Sequence, residues 1–305
     1  MLEMLESTLR LSVPLLFAAM GGVLCERSGI ATICLEGVMI TSAWTAAVVN
    51  YSTGNPWLAI TAASLAGTAT MGLHALLSVR LRADQIVSGV AVNLVASGMT
   101  PLLNKALYGS PTNTPSIPMS ERFATWEVPG LAKLPFLGPL LFAHKPLVFA
   151  AILAPFALHY LFKKTIPGLR IIAAGDGPEA LLSAGISPEN VRWAALLGGG
   201  WLASFGGSYL SISHSSQFTR DMTAGRGYIA LTALIFGKWK PLPTLAACLL
   251  FGFTDALQIQ LQSESLFGLA VPVQLIQALP YAVTLFVLIG FVGKAKPPLS
   301  IGTRD

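Results

Sequence analysis

Apolar residues dominate runs of about 20 positions, the length an α-helix needs to cross the hydrocarbon core of a bilayer. Such runs lie at 9–25, 31–51, 56–79, 86–107, 145–162, 191–212, 224–237, 241–262 and 272–293, the seventh being short. The pattern predicts an all-α fold, a polytopic membrane bundle of about nine transmembrane helices, with residues 1–305 as one transmembrane domain. An odd number of crossings puts the termini on opposite sides. Two connections are long. Residues 108–144 contain six prolines, too many for a continuous helix, and are expected to form an ordered external cap. Residues 163–190, "KKTIPGLRIIAAGDGPEALLSAGISPEN", are expected to hold a short amphipathic helix, with Pro178 and Glu179 in its first turn and Gly185 closing it.

Composition strengthens the membrane reading. The chain is 53% hydrophobic and 11% charged, where soluble domains carry roughly a quarter charged residues. The net charge of +5 is no nucleic-acid signal, because the basic residues sit in short loops between apolar runs. Twelve of the 19 Lys and Arg fall in one set of alternate connections, around Arg27, Arg80, Lys163, Arg192, Lys238 and Lys294. The positive-inside bias places that set in the cytoplasm, with the N-terminus outside and the C-terminus in the cytoplasm. The opening residues carry Glu3 and Glu6 instead of a basic region and read as a retained first helix, not a signal peptide. Cys25, Cys34 and Cys248 have no metal spacing and read as small buried hydrophobes.

Two chemistries are set aside. Gly175, Gly177 and Ala180 fit G-x-G-x-x-G/A, but a dinucleotide site needs a βαβ unit, and here a membrane run follows. The chain also lacks G-x-x-x-x-G-K-[ST], H-E-x-x-H and C-x-x-C, so no ATPase site or catalytic metal centre is expected.

Polar residues inside apolar runs are costly and mark function or packing. Glu36 follows the helix breakers Ser28 and Gly29, and a glycine-interrupted counterpart, "TAGRGYIALTALIFG", lies in the second half at 223–237. Glu36 either touches solute or pairs with Arg27, about two helical turns away, as a strut. Asp255, Gln258 and Gln262 share one helix face, and Gln274 and Gln277 repeat the spacing on the next run. They either line a path for a hydrogen-bonding solute or join the two helices. Asn93 with Ser97 is a similar pair. Gly199, Ala203, Gly207 and Ser211 form a small-residue stripe suited to close helix packing, and His74 and His159 read as structural.

The stretch "GLRIIAAGDGPEALLSAGIS" resembles the coupling segment of permease subunits of bacterial ATP-binding-cassette importers, in the branch serving simple sugars and nucleosides. Gly168, Arg170, Ala174, Gly175, Ala180 and Gly185 occupy its pattern positions. "ERSGIATICLEGVM", "ADQIVSGVAVNL", "TAGRGYIALTALIFGKWKPL" and "LFGFTDALQIQLQ" are similar to the nucleoside-type members, in order and over nearly the whole chain. Many such relatives begin with an extra helix, which the odd number of runs here leads one not to expect. The resemblance implies a permease subunit in the bacterial inner membrane that forms the path for a small polar solute, most plausibly a nucleoside, and carries no ATPase site or cofactor of its own. It also implies ATP-Mg in cytoplasmic partner ATPases docked on residues 168–190, a second permease subunit (copy or paralogue) and an external solute-binding protein. The alternatives are a proton-coupled secondary transporter using Glu36 or Asp255, and a membrane scaffold without transport.

Overall fold

The computed structural model describes residues 2–127, 129, 138, 142–263, 278, 282–283 and 296–302. Among the described residues ten α-helices follow one another: α1 (Leu2–Glu26), α2 (Leu35–Thr53), α3 (Pro56–Ala75), α4 (Gln85–Tyr108), α5 (Pro146–Lys164), α6 (Ile166–Asp176), α7 (Pro178–Ser183), α8 (Pro188–Ser208), α9 (Arg226–Phe236) and α10 (Pro241–Ser263). Wide π-helical turns, Leu76–Arg80 and Tyr209–His214, extend α3 and α8. Among the described residues five helices are long and apolar enough to cross a bilayer: Leu2–Glu26, Pro56–Arg80, Gln85–Tyr108, Pro146–Lys164 and Pro241–Gln262. Helices α2 and α8 match predicted runs but carry more polar and glycine positions. Helix α9, with 11 residues, is about 16 Å long and reaches only part-way through a bilayer. The predicted run 272–293 lies almost wholly outside the described residues.

Helix starts are written locally. Asn55 and Asp84 cap α3 and α4 by accepting from the backbone N–H groups of the first turn, and Thr165 and Ser187 do the same for α6 and α8. Proline occupies the first turn of α3, α5, α6, α7 and α8, where its missing N–H costs nothing. Two differences from expectation stand out. The connection 163–190 holds two helices, because Thr165 and Pro167 start α6 ahead of the predicted α7. The run 31–51 becomes helical only at Leu35; residues 27–34 turn sharply, with Gly29 at φ +94°.

The centre of the bundle is α1, and 94% of its apolar window is buried. It packs against α5, α8, α9 and α10. Glycines allow this close approach. A Cβ at Gly199 would lie 2.1 Å from Cys25 Sγ and 2.6 Å from the Gly21 carbonyl oxygen, and one at Gly252 would lie 1.9 Å from Ser12 Oγ. On other faces of α8, Gly200 meets Met71 of α3 and Gly207 meets the Met39 carbonyl of α2. The small-residue stripe of α8 is therefore a packing surface, read correctly from its spacing. The outer faces of α3, α4 and α5 expose Leu65, Leu94, Leu102, Leu153 and Phe156, as lipid-facing surfaces do. On the side where α1 begins, residues 112–117 pair through backbone hydrogen bonds with 216–220, and strands β1 (Trp126–Glu127) and β2 (Ala143–His144) form a small antiparallel hairpin.

A side chain at Gly207 would stand 2.1 Å from the Met39 carbonyl oxygen and 2.3 Å from Ser42 Oγ. Gly207→Val is expected to cost about 1–3 kcal/mol through overpacking. It should lower the apparent Tm of detergent-purified protein, whereas Gly98→Val, at a glycine with open space around it, should leave Tm within a degree or two of wild type.

Candidate functional site

The two glycine-interrupted segments meet. Glu36 lies in the first turn of α2 and is buried, 9% exposed. Its Oε1 accepts from Thr223 Oγ1 at 2.6 Å and from the Gly225 N–H at 2.9 Å, and its Oε2 accepts from the Gly227 N–H at 2.6 Å. The carboxylate therefore closes the N-terminus of α9, where unpaired N–H groups and the helix dipole favour negative charge. Glycine is required at 227, since a Cβ there would lie 2.5 Å from the Glu36 backbone nitrogen. Gly225, at φ +80°, turns the chain into α9. The predicted strut from Glu36 to Arg27 is incorrect. It assumed a continuous helix, and the turn at 27–34 sends the two side chains apart. Arg27 instead approaches Asp176 at 4.0 Å and donates through Nε to the Trp239 carbonyl at 2.7 Å.

A second buried carboxylate holds the other end of α9. Glu26 Oε2 accepts from Trp239 Nε1 at 2.6 Å, and Oε1 accepts from the Thr32 N–H at 3.1 Å and Thr32 Oγ1 at 3.3 Å. Lys238 and Trp239 both take φ +54°, an unusual conformation for non-glycine residues that swings the indole back to Glu26. Asn93, 5% exposed, secures the turn from the side of α4. Its Oδ1 accepts from the Gly37 N–H at 2.7 Å, and its Nδ2 donates to the Ile33 carbonyl and to Tyr228 Oη, each at 2.9 Å. The side chain of Asn93 is thus committed to protein partners.

The predicted coupling positions divide into two groups. Gly168, Ala174 and Gly175 are buried, while Arg170, Ala180 and Gly185 are exposed. Gly168 lies over the Leu161 carbonyl at the α5–α6 corner, and Gly175 lies over the Arg27 carbonyl. The Gly175 carbonyl accepts from the Ser300 N–H at 2.9 Å, and Gln85 Oε1 accepts from the Ala31 N–H at 2.8 Å and the Gly302 N–H at 3.1 Å. Residues 298–302 thereby tie α6 and α4 to the turn after α1. Exposed Ile166, Leu169 and Leu182 leave an apolar outer surface on α6 and α7. Beside it, a cleft of about 300 Å³ is lined by Arg170, Ile171, Ile186 and Asn190, among others.

On α10, Asp255 and Gln258 are half-buried and Gln262 is exposed; Gln274 and Gln277 lie outside the described residues. At the opposite end from α6 and α7, where α1 begins, a cavity of about 650 Å³ is lined by Arg10, His144, Lys145, Tyr209, Ser213 and Gln260, among others. None of these six stands out in the sequence, because they come from stretches far apart in the chain. Among the described residues, no group of three or more His, Cys, Asp or Glu side chains is placed to hold a metal ion.

Residues 4–290 match the family model described as the branched-chain amino acid transport system / permease component. The chain belongs to this permease family. The permease is 37% identical to the guanosine ABC transporter permease protein NupQ of Bacillus subtilis, covering 97% of this chain and 94% of that one. It is 36% identical to the nucleoside ABC transporter permease protein NupC of Lactococcus lactis, covering 96% and 93%. A solved metal-chelate type ABC transporter in an inward-facing conformation shares the permease's fold, with TM-score 0.52 and 15% identity over 94% of this chain and 87% of that one. The permease is therefore an integral membrane protein with ABC transporter permeases as relatives. Nothing found supports the proton-coupled alternative, and the Glu36 carboxylate it invoked is held by three donors.

Removing the Glu36 carboxylate leaves three buried donors without an acceptor. Glu36→Ala is expected to destabilise the permease by about 3 kcal/mol or more. Glu36→Gln keeps one acceptor oxygen but turns an amide nitrogen towards an N–H donor, so it should fall between Ala and wild type. Thermal unfolding of the detergent-purified variants checks this order, and equal Tm values for all three would show that the clasp on α9 contributes nothing.

Proposed function

We propose that this permease is the membrane-spanning subunit of an ABC importer and forms the path for a nucleoside. The observation that carries the proposal is similarity to guanosine and nucleoside ABC permeases over nearly the full chain, combined with an apolar bundle that exposes a second apolar surface on α6 and α7. About nine crossings follow from the apolar runs, an external N-terminus and a cytoplasmic C-terminus from the charge bias, and the inner membrane of a bacterium from the bacterial permeases to which the chain is similar. ATP-Mg is bound and hydrolysed by partner ATPases that dock on residues 168–190, with Ile166, Leu169 and Leu182 as apolar contacts and Arg170, Ala180 and Gly185 beside them. Gly168, Ala174 and Gly175 act one layer beneath, by setting the α6 backbone against α5 and the turn after α1. A second permease subunit, copy or paralogue, completes the pore, and an external binding protein delivers solute near residues 108–144.

Within the path, Glu36 and Asn93 act as braces for α9, because protein donors and acceptors occupy them. Asp255 and Gln258 are the better candidates for solute contact, with Gln262, Gln274 and Gln277 continuing the same polar spacing. Hydroxyls and ring nitrogens of a nucleoside suit such neutral amides, which donate and accept at once.

Uptake of a nucleoside and sugar panel by the reconstituted complex tests the substrate, and the same complex should carry an ATPase subunit in fixed stoichiometry. Uptake by this chain alone, abolished by a protonophore, would overturn the proposal. The docking surface makes a separate prediction. Leu182→Asp changes an exposed side chain, so it should leave membrane insertion and Tm unchanged yet cut recovery of the ATPase subunit and uptake by about tenfold, the loss of one buried apolar contact. Unchanged recovery and uptake would remove α7 from the docking surface.

A further inference from the structure

The cavity at the Leu2 end of α1 borders residues 108–144 and α10 through Thr125, His144 and Gln260, but its basic side chains are not used by the proposed solute path. Its wall comes from the first turns of α1, the start of α5, the π-turn after α8, the last part of α10 and the small hairpin. The wall carries hydrogen-bond donors, from Arg10, Lys145, Tyr209, Ser213 and His214, together with apolar side chains, from Met4, Leu11, Val148 and Ile259. Ser213 is 5% exposed, and its hydroxyl has no hydrogen-bond partner among the described residues; a buried hydroxyl in that state is open to a ligand group.

The electrostatics favour an anion. Lys145 donates to the Ser213 carbonyl, and burial, with Arg122 and Arg10 close by, holds its ammonium group below the usual lysine range. His214 lies within electrostatic reach of Arg226, Lys145 and Arg10. Against Arg10 and Lys145 the wall sets one carboxylate, Glu3, and Glu6 reaches Arg10 from outside the wall at 3.8 Å. Depth argues for the ligand's source. Helix α1 is about 37 Å long, so with its apolar length across the hydrocarbon core, its Leu2 end lies at the level of lipid headgroups.

We propose that this cavity binds the phosphate group of a membrane lipid, with the glycerol and upper acyl carbons against the apolar side chains. A phosphate offers several oxygens at once to a guanidinium fork, an ammonium group and hydroxyls, which suits this donor set better than a carboxylate does. The same donors can take a free phosphate ion, so the test has two arms. The full chain, purified in mild detergent with the subunits that accompany it, should retain phospholipid in native mass spectra. The double variant Arg10→Gln, Lys145→Gln should retain about tenfold less, the loss of charge-assisted hydrogen bonds. Glu3→Gln removes a repelling carboxylate from an exposed position and should retain at least as much lipid as wild type, even if the double variant folds poorly. In the second arm, delipidated wild-type protein is titrated with inorganic phosphate by calorimetry. Tight phosphate binding without retained lipid would overturn the lipid source in favour of a soluble phosphate. Equal lipid retention in wild type and the double variant, or loss of lipid in Glu3→Gln, would overturn the site itself.

Discussion

A carboxylate moved from water into a helix bundle must be met by donors, or its burial costs more than the fold can supply. Glu36 is met by one hydroxyl and two backbone N–H groups, all from residues 223–227. Those N–H groups in turn belong to a helix start that has no intrahelical partner for them. Each side therefore needs the other, and the pairing fixes where α9 begins relative to α2. Glu26 repeats the arrangement at the far end through the Trp239 indole. Because α9 is only 11 residues long, two clasps at its ends leave it little freedom to slide or tilt. A short helix that cannot cross a bilayer alone is thus held at depth by polar contacts, while its apolar side chains Ala230, Ala233 and Leu234 fill the core.

The rest of the bundle uses little polar chemistry. Lipid chains are as apolar as leucine, so helix association in a membrane depends on close packing more than on the hydrophobic effect. The glycines of α8 answer that need, since each removes a side chain where a neighbouring backbone passes. Helix α8 meets α1, α2 and α3 through such positions, and α1 becomes the buried axis although it is among the most apolar segments. A highly apolar helix is usually read as lipid-facing. Here the small residues of its neighbours, more than its own hydropathy, decide that it is central.

How much of this was legible follows from the range of each signal. Hydropathy runs and capping residues act within a few positions, so the helices, the break before Glu36 and the start at Pro178 could be read from the chain. Helix α6 is not legible in the connection 163–190, because "LRIIAAGDG" carries β-branched residues and glycines, and the cap from Thr165 outweighs them. The meeting of Glu36 with 223–227 was half visible. Both glycine-interrupted segments stand out in the sequence, but neither reading of Glu36, solute contact or a strut to the nearest arginine, joins it to the second segment. The contact of the Trp239 indole with Glu26 and the gathering of donors around the larger cavity were not legible, because the partners lie far apart in the chain.

These contacts also join the exposed surface of α6 and α7 to the clasped helix. Asp176 at the end of α6 faces Arg27, and Arg27 donates to the Trp239 carbonyl just after α9. Arg192 of α8 donates to the Ser28 and Ala174 carbonyls, spanning the same turn from the other side. Gly175 rests on the Arg27 carbonyl with no room for a side chain, so α6 cannot move against this turn without breaking contact. The turn at 27–34 is flanked by Glu26 and Glu36, which hold opposite ends of α9. A displacement of α6 therefore loads both clasps at once, through rigid contacts and not through the compliant apolar core. That geometry gives the buried Gly175 a structural role, since its close approach to the Arg27 carbonyl sets how stiffly the exposed surface of α6 and α7 is joined to α9.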